Sequence, residues 1–214
     1  VDGANGLGFG CGREPMPGIF AQRGCSILAT DLDKDAAREN GWVDTLQHSN
    51  GLSDLYAACN DLLDEEEFRK KVSFKCVDMN AIPPELGRFD FVWSACALEH
   101  LGSLIHGMEF VKNSLKYLKP GGVAVHTTEF NLSSNDDTFE TQGCSVYRKK
   151  DIELLVNELE SQGYNVGPVN YNSGSQKVDK YIDVPPYGFS PHLKLLLDKY
   201  VVTSVGLIIE RPEL

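Results

Sequence analysis

Short apolar segments alternate along the chain with longer stretches in which apolar residues recur at helical spacing. Runs of about four to eight apolar residues between turn signals are typical of buried strands. They predict strands at residues 26–30, 72–77, 89–94, 123–130 and 201–211, a shorter strand near 164–169, and another just before the first glycine turn. Strands that alternate with helices indicate an α/β fold with a largely parallel sheet.

The helical pattern is clearest between the strands at 89–94 and 123–130, where apolar residues repeat every three or four positions as far as Leu118. This stripe predicts one long helix that packs on the sheet. Further helices are predicted at 16–23, 34–40, 61–71, 149–162 and 192–200. Residues 41–60 predict an irregular region, and the polar stretches 131–143 and 170–191 predict long connections.

The stretch from Gly6 to Asp33 organises the rest of the chain. Gly8, Gly10 and Gly12 follow the first strand, and glycine in such a turn lets the backbone approach a ligand closely. The next helix presents free N–H groups at its start. Asp31 follows Gly12 by 19 positions, near the distance at which a second strand delivers a carboxylate to a ribose diol. The stretch predicts half of a nucleotide-binding α/β unit, although an ordinary strand-to-helix turn has the same pattern.

The spacing of the glycines separates two classes of cofactor. A dinucleotide site requires the pattern G-x-G-x-x-G. When the pattern begins at residue 6, 8 or 10, its last position falls on Cys11, Arg13 or Pro15, respectively. None of these is glycine, so the NAD fingerprint is incomplete. A nucleotide-dependent oxidoreductase is therefore an alternative that Asp31 supports but the spacing of the glycines does not.

The segment from Gly6 to Glu14, GLGFGCGRE, resembles motif I of class I S-adenosylmethionine (SAM) dependent methyltransferases, commonly hydrophobic-hydrophobic-D-x-G-C-G-x-G. Two positions depart from that motif, because Gly8 replaces the usual acid and Glu14 replaces the last glycine. We hypothesise that Glu14 supplies the missing carboxylate and meets the ammonium group of the SAM methionine. The alternative is that Glu14 only caps the following helix and complements its dipole.

Two later stretches strengthen the resemblance. FDFVWSACALEHL and LKYLKPGGVAVHTTE are similar to methyltransferase motifs IV to VI, and the L-K-P-G-G turn is the most diagnostic feature. The resemblance implies an α/β fold: a Rossmann-like three-layer αβα sandwich with a mostly parallel seven-stranded sheet and an antiparallel C-terminal strand inserted beside the fifth. We expect a single domain over residues 1–214 that lacks the N-terminal helices usual before motif I.

The resemblance also implies where SAM binds. Asp31 is expected to bind both ribose hydroxyls, and Asp78 and Met79 are expected at the adenine ring. For Asp78 the alternative is a cap on the turn that follows. The full set of expected cofactor residues is Gly10, Cys11, Gly12, Glu14, Asp31, Leu32, Asp78, Met79, Ser94 and Ala95.

Methyl transfer to a hydroxyl requires a base near the sulfonium, and the loops after strands four and five supply the candidates. Glu99 and His100 follow strand four, and residues 126–129 end strand five. We select His100 as the general base because imidazole titrates near neutrality. The alternative is that His100 packs under the cofactor or caps its own helix. His126 is interpreted as a buried, hydrogen-bonded histidine.

A divalent metal held by His100, His126 and Glu129 is a further alternative for this region. Families that use such a metal usually supply more carboxylates at the site. We therefore expect no metal.

Composition narrows the possible acceptors. The formal charge is −11, from 31 acidic and 20 basic residues, so the phosphate backbone of a nucleic acid would be repelled. The six cysteines lack metal-ligand spacing and predict reduced thiols in a cytoplasmic protein. No apolar run reaches the roughly 20 residues of a membrane span. We expect a small-molecule acceptor, with a hydroxyl-rich sugar as a candidate. A non-catalytic SAM-binding protein is the alternative, and the sequence leaves the oligomeric state open.

Overall fold

The apolar runs form one sheet with helices on both faces in the computed structural model, which describes residues 2–188 and 190–213. The strands are β1 (Asn5–Phe9), β2 (Ser26–Asp31), β3 (Val72–Cys76), β4 (Phe89–Ala95), β5 (Leu118–Asn131), β6 (Asn165–Val166), β7 (Leu195–Leu197) and β8 (Tyr200–Glu210). The helices are α1 (Met16–Gln22), α2 (Lys34–Glu39), α3 (Leu52–Ala57), α4 (Glu65–Lys71), α5 (Leu104–Ser114) and α6 (Lys149–Ser161). Over the described residues, no helix combines the length and apolar character that a bilayer crossing requires.

The strands lie in the order β3-β2-β1-β4-β5-β8-β6, and β7 also pairs with β8. The pairs from β3 to β5 are parallel, whereas β8 runs antiparallel to β5, β6 and β7. The predicted Rossmann-like fold is confirmed, with eight strands because β7 adds a short hairpin arm. The strand order reverses between β1 and β4, and open α/β sheets bind ligands at the carboxyl ends of their strands near such a reversal.

Alternate side chains of the strands pack on two opposite faces of the sheet. Leu7 and Phe9 of β1 belong to one buried cluster with Phe110 of α5. Ile27 of β2 belongs to a second cluster with Phe68 of α4. Each such side chain contributes about 1.5 to 3 kcal/mol when it is fully removed from water. The two clusters hold the helices on either side and leave the strand ends accessible.

The predicted helix at 192–200 is wrong, because Leu195–Leu197 form β7 and pair with the start of β8. Asp198 makes the tight turn possible by adopting a left-handed backbone conformation (φ 52°). Three consecutive leucines do not distinguish a helix from a strand, and the partner strand decides the outcome. The interpretation of 41–60 as wholly irregular is also wrong, since α3 lies within it.

The predicted long helix after β4 is interrupted before α5. A 3₁₀ turn at Leu98–His100 follows the strand, and Gly102 (φ 99°) then redirects the chain. Ser103 caps α5, with its Oγ accepting a backbone N–H of the first turn. The interruption places Glu99 and His100 at the carboxyl end of β4 instead of inside a helix.

Candidate active site

A cavity of about 860 Å³ lies along the carboxyl ends of the parallel strands. This volume is within the range of about 300 to 1,000 Å³ that is usual for small-molecule sites. One end, the glycine-turn end, is lined by Gly10, Cys11, Gly12, Glu14, Asp31, Leu32, Asp78, Met79 and Ala95. The other end, the Glu99 end, is lined by Cys96, Glu99, His100, Glu129, Cys144, Tyr187, Leu195, Leu197 and Val202.

The glycine turn has the close-approach geometry that its sequence predicts. Gly10 (φ 56°) and Gly12 (φ 51°) both adopt left-handed backbone conformations. A Cβ at Gly10 would lie 2.9 Å from the Ala97 Cβ, and one at Gly12 would lie 2.5 Å from the Gln47 carbonyl oxygen. Other residues at these positions would be strained and would also crowd the cavity wall.

Asp31 ties the end of β2 to the glycine turn. Its Oδ2 accepts hydrogen bonds from the Gly12 N–H at 3.1 Å and the Ser49 N–H at 3.0 Å, and its Oδ1 accepts from the Leu32 N–H at 2.8 Å. The residue is only 8% exposed, and burial raises the pKa of its carboxyl against the lowering effect of these donors. No sequence pattern indicates the Ser49 contact, which comes from the connection between α2 and α3.

The Trp93 side chain contacts both Glu14 and Gly8 beside Asp31. The Trp93 indole Nε1–H donates to the Glu14 Oε1 at 2.9 Å. A Cβ at Gly8 would lie within 2.4 Å of the Trp93 ring, so the indole occupies the space of the acid usual in the motif. Burial raises the pKa of Glu14 to about 7, and the charge of Asp31 adds to this rise while the Trp93 hydrogen bond opposes it. Glu14 therefore supplies an acid that titrates near neutrality at this end of the cavity.

The remaining residues expected at the cofactor divide into two groups. Asp78 and Met79 line the cavity, and the Asp78 Oδ1 also accepts from the Asn80 N–H at 2.8 Å, as the turn-cap alternative requires. Ser94 does not line the cavity. It is 2% exposed, and its Oγ lies 2.8 Å from the His126 Nδ1 beneath the floor.

His126 is the buried, hydrogen-bonded histidine that strand alternation predicts. Its Nδ1 and Nε2 lie 2.8 Å and 3.0 Å from the hydroxyl oxygens of Ser94 and Ser114. The ring also contacts Phe110 of α5, at 5.5 Å between ring centres. Burial lowers the pKa of His126 to about 3, so the imidazole is neutral. Because it lies under α5, it does not join His100 and Glu129 in a common ligand set.

His100 lines the cavity with its tautomer fixed by the backbone. Its Nδ1 lies 2.7 Å from the Gly143 carbonyl oxygen, and because a carbonyl can only accept, Nδ1 carries the proton. The Nε2 lone pair is then the basic one. The Trp42 ring packs against the imidazole, with ring centres 4.4 Å apart. Burial lowers the pKa of His100, while the Gly143 contact opposes this effect, so the ring is neutral at pH 7.

Glu99 and Glu129 bring two acids together at the Glu99 end. The Glu99 Oε2 accepts from the Thr128 hydroxyl at 3.1 Å, whereas its Oε1 is buried without a hydrogen-bond partner. Burial, and then the charge of Glu129, raise the pKa of Glu99 to about 8. Burial also raises the pKa of Glu129, with His192 opposing the rise.

Several wall residues come from segments that the sequence did not connect with the site. Trp42 and Gln47 lie on the connection after α2, and Tyr187 and Leu197 come from the region around the β7–β8 hairpin. None of them belongs to a motif, and their spacing along the chain carries no signal. They close the cavity over the strand ends.

Residues 1–166 match a family model described as a methyltransferase domain. A SAM-dependent methyltransferase from Methanosarcina mazei is 15% identical with a TM-score of 0.58, over 100% of this chain and 95% of that one. The 4+2 cyclase SpnF is 18% identical with a TM-score of 0.59, over 99% of this chain and 76% of that one.

Magnesium protoporphyrin IX methyltransferase from Synechocystis, solved with bound S-adenosylhomocysteine (SAH), is 11% identical with a TM-score of 0.57. The match covers 98% of this chain and 75% of that one. A search of curated protein sequences finds no match. At these identities, the solved structures show a shared fold.

Proposed function

Because the chain belongs to the methyltransferase domain family and its cofactor is SAM, we propose that it transfers the SAM methyl group to a hydroxyl of a small polar acceptor, with sugars among the candidates. The observation that supports a hydroxyl acceptor is the neutral His100 imidazole in the cavity wall. A base of this kind removes the proton that an alcohol must lose in order to react.

In this proposal, SAM lies along the glycine-turn end. Gly10 and Gly12 let the backbone approach the methionine part, and the ionised Glu14 binds its ammonium group. Asp31 accepts the ribose hydroxyls on lone pairs that its backbone donors leave free, since each carboxylate oxygen has two. Met79 covers the adenine ring, and Asp78 accepts from its amine.

The transfer is a single displacement. The acceptor oxygen attacks the methyl carbon as the carbon–sulfur bond breaks, and the electron pair of that bond stays on sulfur to give SAH. His100 Nε2 takes the hydroxyl proton, while Gly143 stabilises the imidazolium through Nδ1–H. Alignment of the oxygen with the methyl carbon is the main contribution of the cavity, and a positioned base adds about 10² to 10⁴ in rate.

The side chains at the Glu99 end favour a neutral or cationic acceptor. Glu99 and Glu129 both line this end, and no lysine or arginine in the described chain accompanies them there. Arg13, the arginine in the cavity wall, lies with the glycine turn and pairs with Asp54 at 3.6 Å. A phosphorylated or carboxylated acceptor would therefore find no basic partner there. This agrees with a hydroxyl-rich molecule.

A second function, SAM binding without methyl transfer, is supported by the fold that the chain shares with a protein named a cyclase. One fold hosts different chemistries, so membership in the family does not by itself require a reactive acceptor. In that case the cavity would bind SAM, and His100 would have no proton to take.

Transfer of labelled methyl from SAM to a panel of sugars, polyols and other alcohols tests the proposal. His100→Asn is the matched variant, because its amide can still donate to the Gly143 carbonyl but cannot act as a base. We expect the wild-type protein to label a hydroxyl acceptor, and the variant to be about 10² to 10⁴-fold slower with unchanged calorimetric SAM affinity.

Three other results would overturn parts of the proposal. Full activity of the His100→Asn variant would remove His100 as the base. Parallel loss of SAM binding and activity would make His100 a support of the cofactor site. SAM binding without transfer to any acceptor would favour the second function.

A further inference from the structure

The turn after β4 and the C-terminal part of β5 bring Cys96, Glu99 and Glu129 together in the cavity wall. One thiol or carboxylate atom from each lies within 4.8 Å of the others. In the part of the chain that the structure describes, no other group of three histidine, cysteine, aspartate or glutamate side chains is as close. The cluster differs from the ligand set considered from the sequence, since His126 is buried elsewhere.

Glu99 provides an independent indication that a ligand is missing from this cluster. The residue is 1% exposed, its Oε2 accepts from Thr128, and its Oε1 has no partner. A buried carboxylate oxygen without a donor is costly, and native structures rarely leave one unsatisfied.

The two histidines near the cluster contact other partners. His100 commits its ring proton to the Gly143 carbonyl. His192 lies with its Nδ1 2.7 Å from the Asp183 carboxylate. A cation from outside the chain would satisfy the Glu99 Oε1.

The thiol indicates which cation fits. Cys96 has a left-handed backbone conformation (φ 45°), and its N–H donates to both the carbonyl and the hydroxyl oxygen of Thr127 at 3.1 Å. A residue other than glycine rarely takes this conformation, and such strain is often kept at functional sites. Calcium and magnesium avoid sulfur, whereas zinc accepts thiolate and carboxylate at about 2.0 to 2.3 Å. A protonated amine would satisfy the carboxylates but would make no use of the thiol.

We propose that Cys96, Glu99 and Glu129 bind one divalent transition-metal ion of the zinc class, contrary to the expectation from sequence. Three protein ligands leave a coordination position open, as in catalytic zinc sites. An acceptor oxygen bound at that position would lose its proton more easily. Metal binding itself does not depend on the acceptor, so it can be tested apart from methyl transfer.

The experiment titrates the whole chelator-treated chain with Zn²⁺ by calorimetry and with Co²⁺ by absorption spectroscopy, without SAM or acceptor. We expect one equivalent of either metal, and a thiolate-to-cobalt charge-transfer band. Cys96→Ser should abolish the band, and both Cys96→Ser and Glu129→Gln should weaken Zn²⁺ binding about tenfold or more. Cys76→Ser is the matched control because Cys76 is exposed on β3, outside the cavity wall, and it should change nothing.

Cys144→Ser separates the proposed ligand from the other thiol that lines the cavity, and this variant should keep the band. Thermal melting and SAH binding establish that each variant is folded. Absence of stoichiometric binding would overturn the proposal, as would binding without the thiolate band. The proposal would also be overturned if Cys96→Ser and Glu129→Gln both kept the wild-type charge-transfer band and Zn²⁺ affinity, because the metal would then lie elsewhere.

Discussion

Replacing Glu14 by Gln should abolish a pH dependence of SAM binding that the wild-type site possesses. The SAM ammonium binds the ionised carboxylate, and the pKa of Glu14 is raised to about 7, mainly by burial. The ionised fraction is then about one half at pH 7 and about 3% at pH 5.5. SAM affinity should therefore rise about 15-fold between these two pH values, since the α-amino group of SAM, with a pKa near 8, stays protonated throughout.

Calorimetry over this range measures the effect directly. Titrations at about pH 7 in buffers of different ionisation enthalpy should show release of about half a proton for each SAM bound. Methylthioadenosine, which lacks the amino acid part of SAM, is the matched ligand and should show neither effect. The Glu14→Gln variant should bind SAM with a nearly constant affinity from about pH 5.5 to 7, close to the lower wild-type value.

Two results would refute this reasoning. A wild-type affinity that stays constant over the range would show that Glu14 does not meet the ammonium group. An equal loss of affinity for SAM and for methylthioadenosine in Glu14→Gln would leave Glu14 as a structural partner of Trp93, since no side chain among the described residues caps α1.

The other predictions concern Asp31 and His126. Asp31→Ala should weaken SAM binding by an order of magnitude or more, because a charged hydrogen-bond partner is commonly worth about 1.5 to 3 kcal/mol. If calorimetry shows unchanged SAM affinity in a folded variant, the assignment of Asp31 to the ribose is contradicted. The pKa of His126 is about 3 in the folded protein, below its ordinary value of 6.5. Between pH 6.5 and about 3 the unfolded chain therefore binds more protons than the folded protein, and the free energy of unfolding should fall as the pH drops. Urea denaturation should show a His126 contribution of up to about 1.4 kcal/mol per pH unit, and a His126→Asn variant with the same pH slope would disprove it.

The cofactor end was predictable because its residues follow strands directly. Apolar runs determine where strands end, and parallel strands of one sheet end at the same edge. Gly10, Asp31 and Met79 therefore converge once the strand order is known. The same reasoning failed for Ser94, because strand alternation turned its side chain toward His126 and away from the cavity.

The Glu99 end and the surroundings of Asp31 were less predictable because their geometry depends on contacts between distant segments. Ser49 reaches Asp31 across 18 positions, and the Gly143 carbonyl reaches His100 across 43. Such contacts follow from how the connections fold over the sheet, which no local pattern encodes. The absence of the usual acid at Gly8 also depends on a distant segment, because the Trp93 ring of the neighbouring strand occupies the space of that acid.

The connection before α6 limits how this protein could be re-engineered. Its Gly143 carbonyl holds His100, its Ser145 N–H donates to the Glu99 carbonyl at 2.8 Å, and its Glu140 carboxylate accepts from the Leu104 N–H that begins α5. A loop exchange intended to admit a new acceptor would change the protonation of the base and the start of a helix at the same time. Libraries that vary exposed positions such as Gln142, and keep the backbone through Gly143 and Ser145, would explore acceptor choice without losing the chemistry.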